Sequence, residues 1–212
     1  MRTTRAVLFD FGGVLAEDGF SNGLEALGRE QQLPMADMTQ AGMHAVYDSG
    51  YVTGEGTEAD FWNLLRERTG LRGDDAVLTK TILDGFVVRP WLLELVQRLR
   101  SLGYVTGILS DQTDWLDRLD ARQHFYRCFD RVYNSYRLGK GKRDLSVFGD
   151  VAAALGLPPS QILFVDDNEH NVERARSAGM HAIRYRDRKR FLDELDGPVG
   201  QEIGGEGFLI GT

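Results

Sequence analysis

The chain opens on a short unbroken apolar run, Ala6 to Phe9, set between Arg5 and Asp10, and a glycine pair, Gly12-Gly13, follows at once. An apolar run of that length with polar flanks predicts a strand covered on both faces. From about Val14 to Val88 the pattern changes. Apolar residues recur at helical spacing in GLEALGRE, MTQAGMHAVY and FWNLLRER, which predicts three helices and no strand. Thr57 with Asp60 three positions later has the spacing of a capping box for the third helix, and Gly70 stands where that helix should stop.

After Arg89 strands return. Pro90 suits a first helical position, and Trp91, Leu92, Leu95, Val96 and Leu99 form an apolar stripe closed by Gly103. The pattern then predicts a strand over Tyr104 to Leu109, a short helix around Trp115, Leu116 and Leu119, and a strand over Arg131 to Asn134. A helix over Leu145 to Leu155, a strand over Ile162 to Val165, a helix over Val172 to Ala178 and a last strand over His181 to Arg184 follow. Strand and helix alternate, so the expected fold is α/β, a doubly wound parallel sheet with a Rossmann-like core and an inserted all-helical subdomain. The expected division is a core of residues 1–13 and 89–212 and a cap of residues 14–88. The glycine-rich tail from Gly197 to Thr212 is expected either as a mobile terminus or as a segment that docks Phe208, Leu209 and Ile210 on the core.

Ligands of doubly wound sheets bind beyond the carboxyl ends of the strands. Four segments are expected to end strands there and to carry polar groups: Asp10 in AVLFDFGGV, Ser110 in TGILSDQT, Lys142 in GKGKRD and the pair Asp166-Asp167 in ILFVDDNEHN. A phosphate monoester brought among these acids would be repelled, since two like charges about 4 Å apart cost about 4 kcal/mol at an effective dielectric of about 20. A hard divalent cation removes that cost by bridging carboxylates to a phosphoryl oxygen, and Lys142 adds a second positive charge. A carboxylate close to phosphorus can then attack it and form an acyl phosphate, which water later cleaves.

Composition narrows the classes. The chain has 212 residues, enough for one good core plus an accessory layer, and a net charge of −7 that argues against non-specific nucleic-acid binding. No apolar run approaches the roughly 20 residues of a membrane-spanning helix. MRTTR passes straight into the first strand, unlike a signal peptide, and the single cysteine, Cys128, permits no intrachain disulfide and is expected as a small buried apolar residue. A cytoplasmic protein is expected, without nucleic-acid or membrane partners; its oligomeric state is left open.

The segments FDFGGVL at 9–15, ILSDQT at 108–113, the lysine of GKGKRDLSVF at 139–148 and FVDDNEHNVERARSAGM at 164–180 together resemble the haloacid dehalogenase superfamily, in particular its phosphatases with a small helical cap. The DFGGVL segment and the cap placement are similar to a branch that includes an α-glucose-1-phosphate phosphatase. The resemblance implies an Mg²⁺-dependent hydrolysis of a small phosphorylated substrate, with Asp10 as nucleophile. It implies Mg²⁺ held by Asp10, the Gly12 carbonyl and Asp166, and phosphate bound by Ser110, Asp111, Lys142 and the Gly12-Gly13 backbone. Asp167 and Asn171 would support them, and Lys142 would pair with both phosphate and nucleophile.

The chain departs from that pattern in three places. Gly12 stands where the phosphatases usually carry the aspartate that protonates the leaving alcohol, a group worth about a hundredfold to ten-thousandfold in rate. Asp111 stands where asparagine is common and is expected to point away or to pair with a cation such as Lys142. Arg143 and Leu145 replace prolines that often follow the lysine. Lys140 is a rival to Lys142, and Asp167 has a competing reading as a helix cap near Asn168. Glu17, Asp18, His44 and Tyr47 are candidates to face the site from the cap, His44 as a substitute for the missing acid. The basic run Arg184 to Arg190 is expected as a solvated face. Two other functions fit less of the pattern: a catalytically weak phosphometabolite-binding protein, favoured by Gly12, and a metal-independent 2-haloacid dehalogenase, for which the Asp166-Asp167 pair has no use. A response-regulator receiver places its acid pair early and lacks a helical insertion.

Overall fold

All four residues of the first apolar run are fully buried and form strand β1 (Ala6–Phe9). The computed structural model describes residues 4–199. After β1 come four helices, α1 (Gly19–Glu30), α2 (Met35–Asp48), α3 (Glu58–Thr69) and α4 (Asp75–Asp84). The alternating part follows as α5 (Pro90–Ser101), β2 (Val105–Ser110), α6 (Trp115–Gln123), β3 (Arg131–Asn134), α7 (Ser135–Leu138) and α8 (Ser146–Leu155). It ends with β4 (Ile162–Asp166), α9 (Glu169–Ser177), β5 (His181–Arg184) and α10 (Arg188–Val199).

The strands form one parallel sheet in the order β3-β2-β1-β4-β5, with Phe9 of β1 level with Ile108 of β2 and Val165 of β4. Successive side chains leave opposite faces. Val7 and Phe9 therefore join Ile108, Leu163 and Val165 under α5, α6 and α10. Ala6 and Leu8 join Leu109, Ile162 and Phe164 under α8 and α9. Both faces are covered, as the unbroken apolar runs require.

The strands and most helices match the sequence pattern, with ends shifted by a few residues. The capping box is formed: the Thr57 hydroxyl accepts from Asp60 N (3.2 Å), and the Asp60 carboxylate accepts from Thr57 N (2.9 Å). Gly70 ends α3 at φ 74°, and Cys128 is buried. Three helices escape the periodicity. In α4 only Leu78, Thr79, Ile82 and Leu83 are buried, and the exposed Val77 blurs the stripe. The single turn of α7 is too short to show a period. In α10 the buried Phe191, Leu192 and Leu195 sit between charges, and the element runs into the Gly197-Pro198 segment read as tail. Residues 200–212, with Phe208, Leu209 and Ile210, lie outside the described residues.

The chain enters and leaves the block of four helices side by side. Glu17 N donates to the Val87 carbonyl (2.9 Å), and Arg89 N donates to the Leu15 carbonyl (2.8 Å). We propose retaining the division into a core and a cap of residues 14–88 on this basis. The two parts nevertheless share one apolar cluster. Phe61 of α3 packs with Tyr51 and with Trp115 of α6, Trp62 also meets Trp115, and Phe11 lies 5.6 Å from Phe86 between ring centroids. Among the described residues, no helix is long and apolar enough to cross a membrane.

A shared cluster has a measurable consequence. Phe61→Ala should cost about 3–5 kcal/mol, and urea unfolding followed by tryptophan fluorescence and by far-UV circular dichroism should move together in a single transition. A separate early transition confined to the helical block would show that the cap has its own core.

Candidate active site

Neighbouring strands of a sheet lie about 4.8 Å apart, so residues at or near one height on β2, β1 and β4 are held close: Asp10 is level with Asp166, and Ser110 stands one residue further along β2. Ser110 is the last residue of β2 and Asp166 the last of β4, while Asp10 follows β1 directly and donates its N–H to the Val165 carbonyl (2.8 Å). Three of the four expected polar segments thus meet at the carboxyl edge of the sheet. Lys142 reaches the same place by another route. It does not end a strand; it lies in the loop after α7, a correction to the sequence reading that follows from the extra turn of helix after β3.

The Lys142 side chain is only 2% exposed, and its Nζ donates to Asp166 Oδ2 (2.6 Å) and lies 2.9 Å from Asp10 Oδ1. Burial disfavours its charge, but Asp10, Asp166 and Asp111 outweigh burial and hold its pKa above the usual lysine value. Lys140 instead donates to Ser146 Oγ (2.7 Å) and pairs with Asp150, so it is not the lysine of this cluster.

The carboxylates differ in how they are satisfied. Asp166 is fully buried; Oδ1 accepts from Asn168 N (2.8 Å), and Asn171 Nδ2 donates to Oδ2 (3.2 Å) beside Lys142. Asp10 Oδ1 accepts no hydrogen bond, since Lys142 approaches it at ion-pair distance but off the bonding direction. Burial pushes the Asp10 pKa up to about 7; Lys142 and the Ser110 hydroxyl oppose the shift, and Asp166 and Asp167 add to it. Asp167 is pushed up to about 6 by burial and then by Asp166. One carboxylate oxygen from each of Asp10, Asp166 and Asp167 lies within 4.8 Å of the others. Three acids so close around one lysine leave negative charge uncompensated, which is the donor set of a hard divalent cation.

The helix-cap reading of Asp167 fails. Asn168 caps α9, its side chain accepting from His170 N (2.9 Å). Asp167 instead leans on Gly13, where an added Cβ would stand 2.2 Å from Asp167 Oδ2. Gly13, at φ 80°, is what allows that approach.

A cavity of about 730 Å³ opens over this cluster. Asp10, Gly12, Ser110, Asp111, Lys142, Asp167 and Asn171 line it, whereas Gly13 and the fully buried Asp166 do not. From the cap come Asp18, Phe20, Met43, Val46 and Tyr47. Two cap candidates are corrected: His44 is exposed and lines no part of the cavity, and Glu17 turns away to pair with Arg89 (3.0 Å). The apolar Met43, one helical turn before Tyr47, and Val46, three residues after Met43, escaped the sequence reading although the spacing was visible. Asp111 neither points away nor pairs with the Lys142 ammonium. Its Oδ1 accepts from the Lys142 backbone N–H (2.8 Å), and its Oδ2 accepts from Tyr47 Oη (2.7 Å). The run from Arg184 to Arg190 is not wholly a solvated face: Arg184 lines the cavity, donates to the Asp167 carbonyl (3.1 Å) and pairs with Glu169 (2.7 Å), and Arg188 lies over the Trp91 ring.

The cap is fastened above the cavity by polar ties. Ser135 Oγ donates to the Val52 carbonyl (2.7 Å), Trp115 Nε1 and Arg118 donate to Glu58 (2.8 and 3.0 Å), and Tyr51 Oη donates to Asp114.

Comparison with known proteins agrees with this architecture. The chain is 25% identical to bifunctional epoxide hydrolase 2 of Sus scrofa, an alignment that covers 94% of this chain and 39% of the relative. The chain thus spans about two fifths or less of the length of such curated relatives. A haloacid dehalogenase family enzyme of Bacteroides thetaiotaomicron, solved in complex with magnesium and inorganic phosphate, superposes with a TM-score of 0.68 at 21% identity, covering 89% of this chain and 98% of that one. L-2-haloacid dehalogenase of Xanthobacter autotrophicus, solved with chloropropionic acid covalently bound, gives a TM-score of 0.63 at 21% identity, covering 94% of this chain and 84% of that one. These likenesses establish a shared fold. The model of the haloacid dehalogenase-like hydrolases matches residues 4–179, from β1 through the turn after α9, and the chain belongs to that family.

Proposed function

We propose that the chain is an Mg²⁺-dependent phosphatase acting on a small phosphorylated metabolite, a sugar phosphate among the candidates. The observation that carries this reading is the buried ion cluster: Lys142 between Asp10 and Asp166, with Asp167 close by and one Asp10 oxygen accepting no hydrogen bond. A metal-free dehalogenase has no use for three converging acids. The magnesium and phosphate bound by the Bacteroides enzyme support the same reading.

The acids present fit a hard cation, and Asp10, the Gly12 carbonyl and Asp166 would hold it, with Asp167 adjoining. When bound, Mg²⁺ supplies charge neutralisation and polarises a phosphoryl oxygen. The rest falls to the chain's own groups. The Ser110 hydroxyl and the Asp111 backbone N–H donate to phosphoryl oxygens, and Lys142 faces the charge that grows on them. An Asp10 carboxylate oxygen forms a bond to phosphorus as the bond to the alcohol oxygen breaks, and the departing oxygen takes a proton from a water molecule, since Gly12 offers no acid. Water then attacks the acyl phosphate, releasing inorganic phosphate and restoring the Asp10 carboxylate. Asn171 and the Asn168 N–H keep Asp166 aimed.

A second reading rests on Gly12, which supplies no acid; an added Cβ there would meet Phe86 Cε1 at 3.4 Å and Gln112 Nε2 at 3.6 Å. On that reading the protein binds phosphometabolites and turns them over weakly.

Hydrolysis of p-nitrophenyl phosphate should require magnesium, stop in EDTA and fall at least a thousandfold in Asp10→Asn, on the order expected for loss of a nucleophile; activity that ignores both changes would sink the mechanism. A broad panel of phosphate esters decides between the two readings, since tight calorimetric binding with negligible turnover throughout would favour the binding protein. Lys142→Met should cost about 3–5 kcal/mol of stability in EDTA, because it leaves buried carboxylates without their cation. Added magnesium should restore part of that loss in a denaturant titration. Wild-type stability in the variant would mean that the acids are not charged as described.

A further inference from the structure

Acids outnumber cations around the cavity, yet each acid is already engaged. Asp10 and Asp167 belong to the ion cluster, Asp18 caps α1 by accepting from Ser21 N (3.1 Å), Asp111 serves Tyr47 and the Lys142 backbone, and Glu169 is paired with Arg184. Two arginines remain. The Arg143 guanidinium lies 3.4 Å from the centroid of the Tyr47 ring, stacked on it, and lines the cavity. Arg174 lines the same cavity, and one of its nitrogens donates to Asn171 Oδ1 (3.0 Å). Among the described residues, no carboxylate pairs with either. Both also line an adjoining depression of about 380 Å³ with His170 and Glu173, where His170 Nδ1 lies 3.6 Å from the Glu173 carboxylate.

The stacking is built. Tyr47 is pinned by its hydrogen bond to Asp111, Asp111 is pinned by the Lys142 N–H, and Arg143 is the next residue. A guanidinium lying flat on a ring keeps its N–H donors in the plane, directed outward, where a carboxylate or phosphate can meet them side by side. The constellation uses two of the positions at which the sequence departs from its family pattern, Asp111 and Arg143.

We propose that Arg143, carried on Tyr47, together with Arg174 forms a subsite for a second anionic group of the substrate, a carboxylate or another phosphate. The substrate class is then a phosphate ester that bears a further negative charge. This proposal rests on the phosphate reading of the neighbouring site, and its test separates the two.

Three non-hydrolysable probes differ only at the far end: propylphosphonate, its carboxylate analogue phosphonopropionate, and propylene bisphosphonate. Their affinities are measured by calorimetry with magnesium present. The wild type should prefer one or both doubly charged probes over propylphosphonate by about tenfold to a hundredfold, the value of a charge-assisted bidentate contact. The probe preferred identifies the second group as carboxylate or phosphate. Arg143→Ala should collapse the preference toward one, and Arg174→Ala should reduce it. Equal affinity for all three probes in the wild type, or a preference that survives Arg143→Ala, overturns the subsite. Turnover of p-nitrophenyl phosphate is read separately. An Arg143-dependent preference without turnover keeps the subsite and removes the phosphatase activity; turnover without the preference does the reverse. Failure of every probe to bind, with no turnover either, overturns both.

Discussion

An ammonium group enclosed by carboxylates governs this molecule. Lys142 is almost entirely removed from water, a position that costs several kcal/mol for an unpaired charge, and it is tenable only because Asp10 and Asp166 stand within 3 Å of its nitrogen. The dependence is mutual, since two buried acids side by side are equally untenable without it. Each partner comes from a different part of the chain: the end of β1, the end of β4 and the loop after α7. The ion cluster therefore tests whether three distant segments have arrived correctly, and it leaves Asp10 Oδ1 ion-paired with Lys142 but without a directed hydrogen bond.

The second constraint is the way the accessory helices are attached. Hydrogen bonds between Tyr47 and Asp111, Ser135 and Val52, and Trp115 and Glu58 join the cap to the loops that carry the site. Together with the aromatic packing around Trp115, they join the roof of the cavity to the core. Side chains on α2 thereby become part of the site's chemistry, as Tyr47 does by carrying Arg143.

Much of this was legible in the sequence. Unbroken apolar runs announce strands covered on both faces, and the polar residue that ends each run marks the ligand edge of a parallel sheet. The sequence alone therefore places Asp10, Ser110 and Asp166 together. Lys142 was identified by its motif, while its path was not, because a single turn such as α7 carries no period. The helix α10 was hidden by its charged start and its Gly197-Pro198 end; burial of Phe191, Leu192 and Leu195 against the sheet overrides both. The role of Asp111 lay beyond the sequence for a different reason. Its partner Tyr47 is 64 residues away, and nothing local to either indicates that they meet.

The alignment of Ser110, Asp10 and Asp166 on three adjacent strands has an implication for how such a molecule can change over time. Their mutual distances are written in backbone hydrogen bonds between β2, β1 and β4, which every amino acid except proline can make. Drift in the surrounding helices alters who is admitted to the cavity while the metric of the chemistry stays constant. A scaffold of this kind can acquire a new preference through a few roof and loop residues without having to rediscover its reaction.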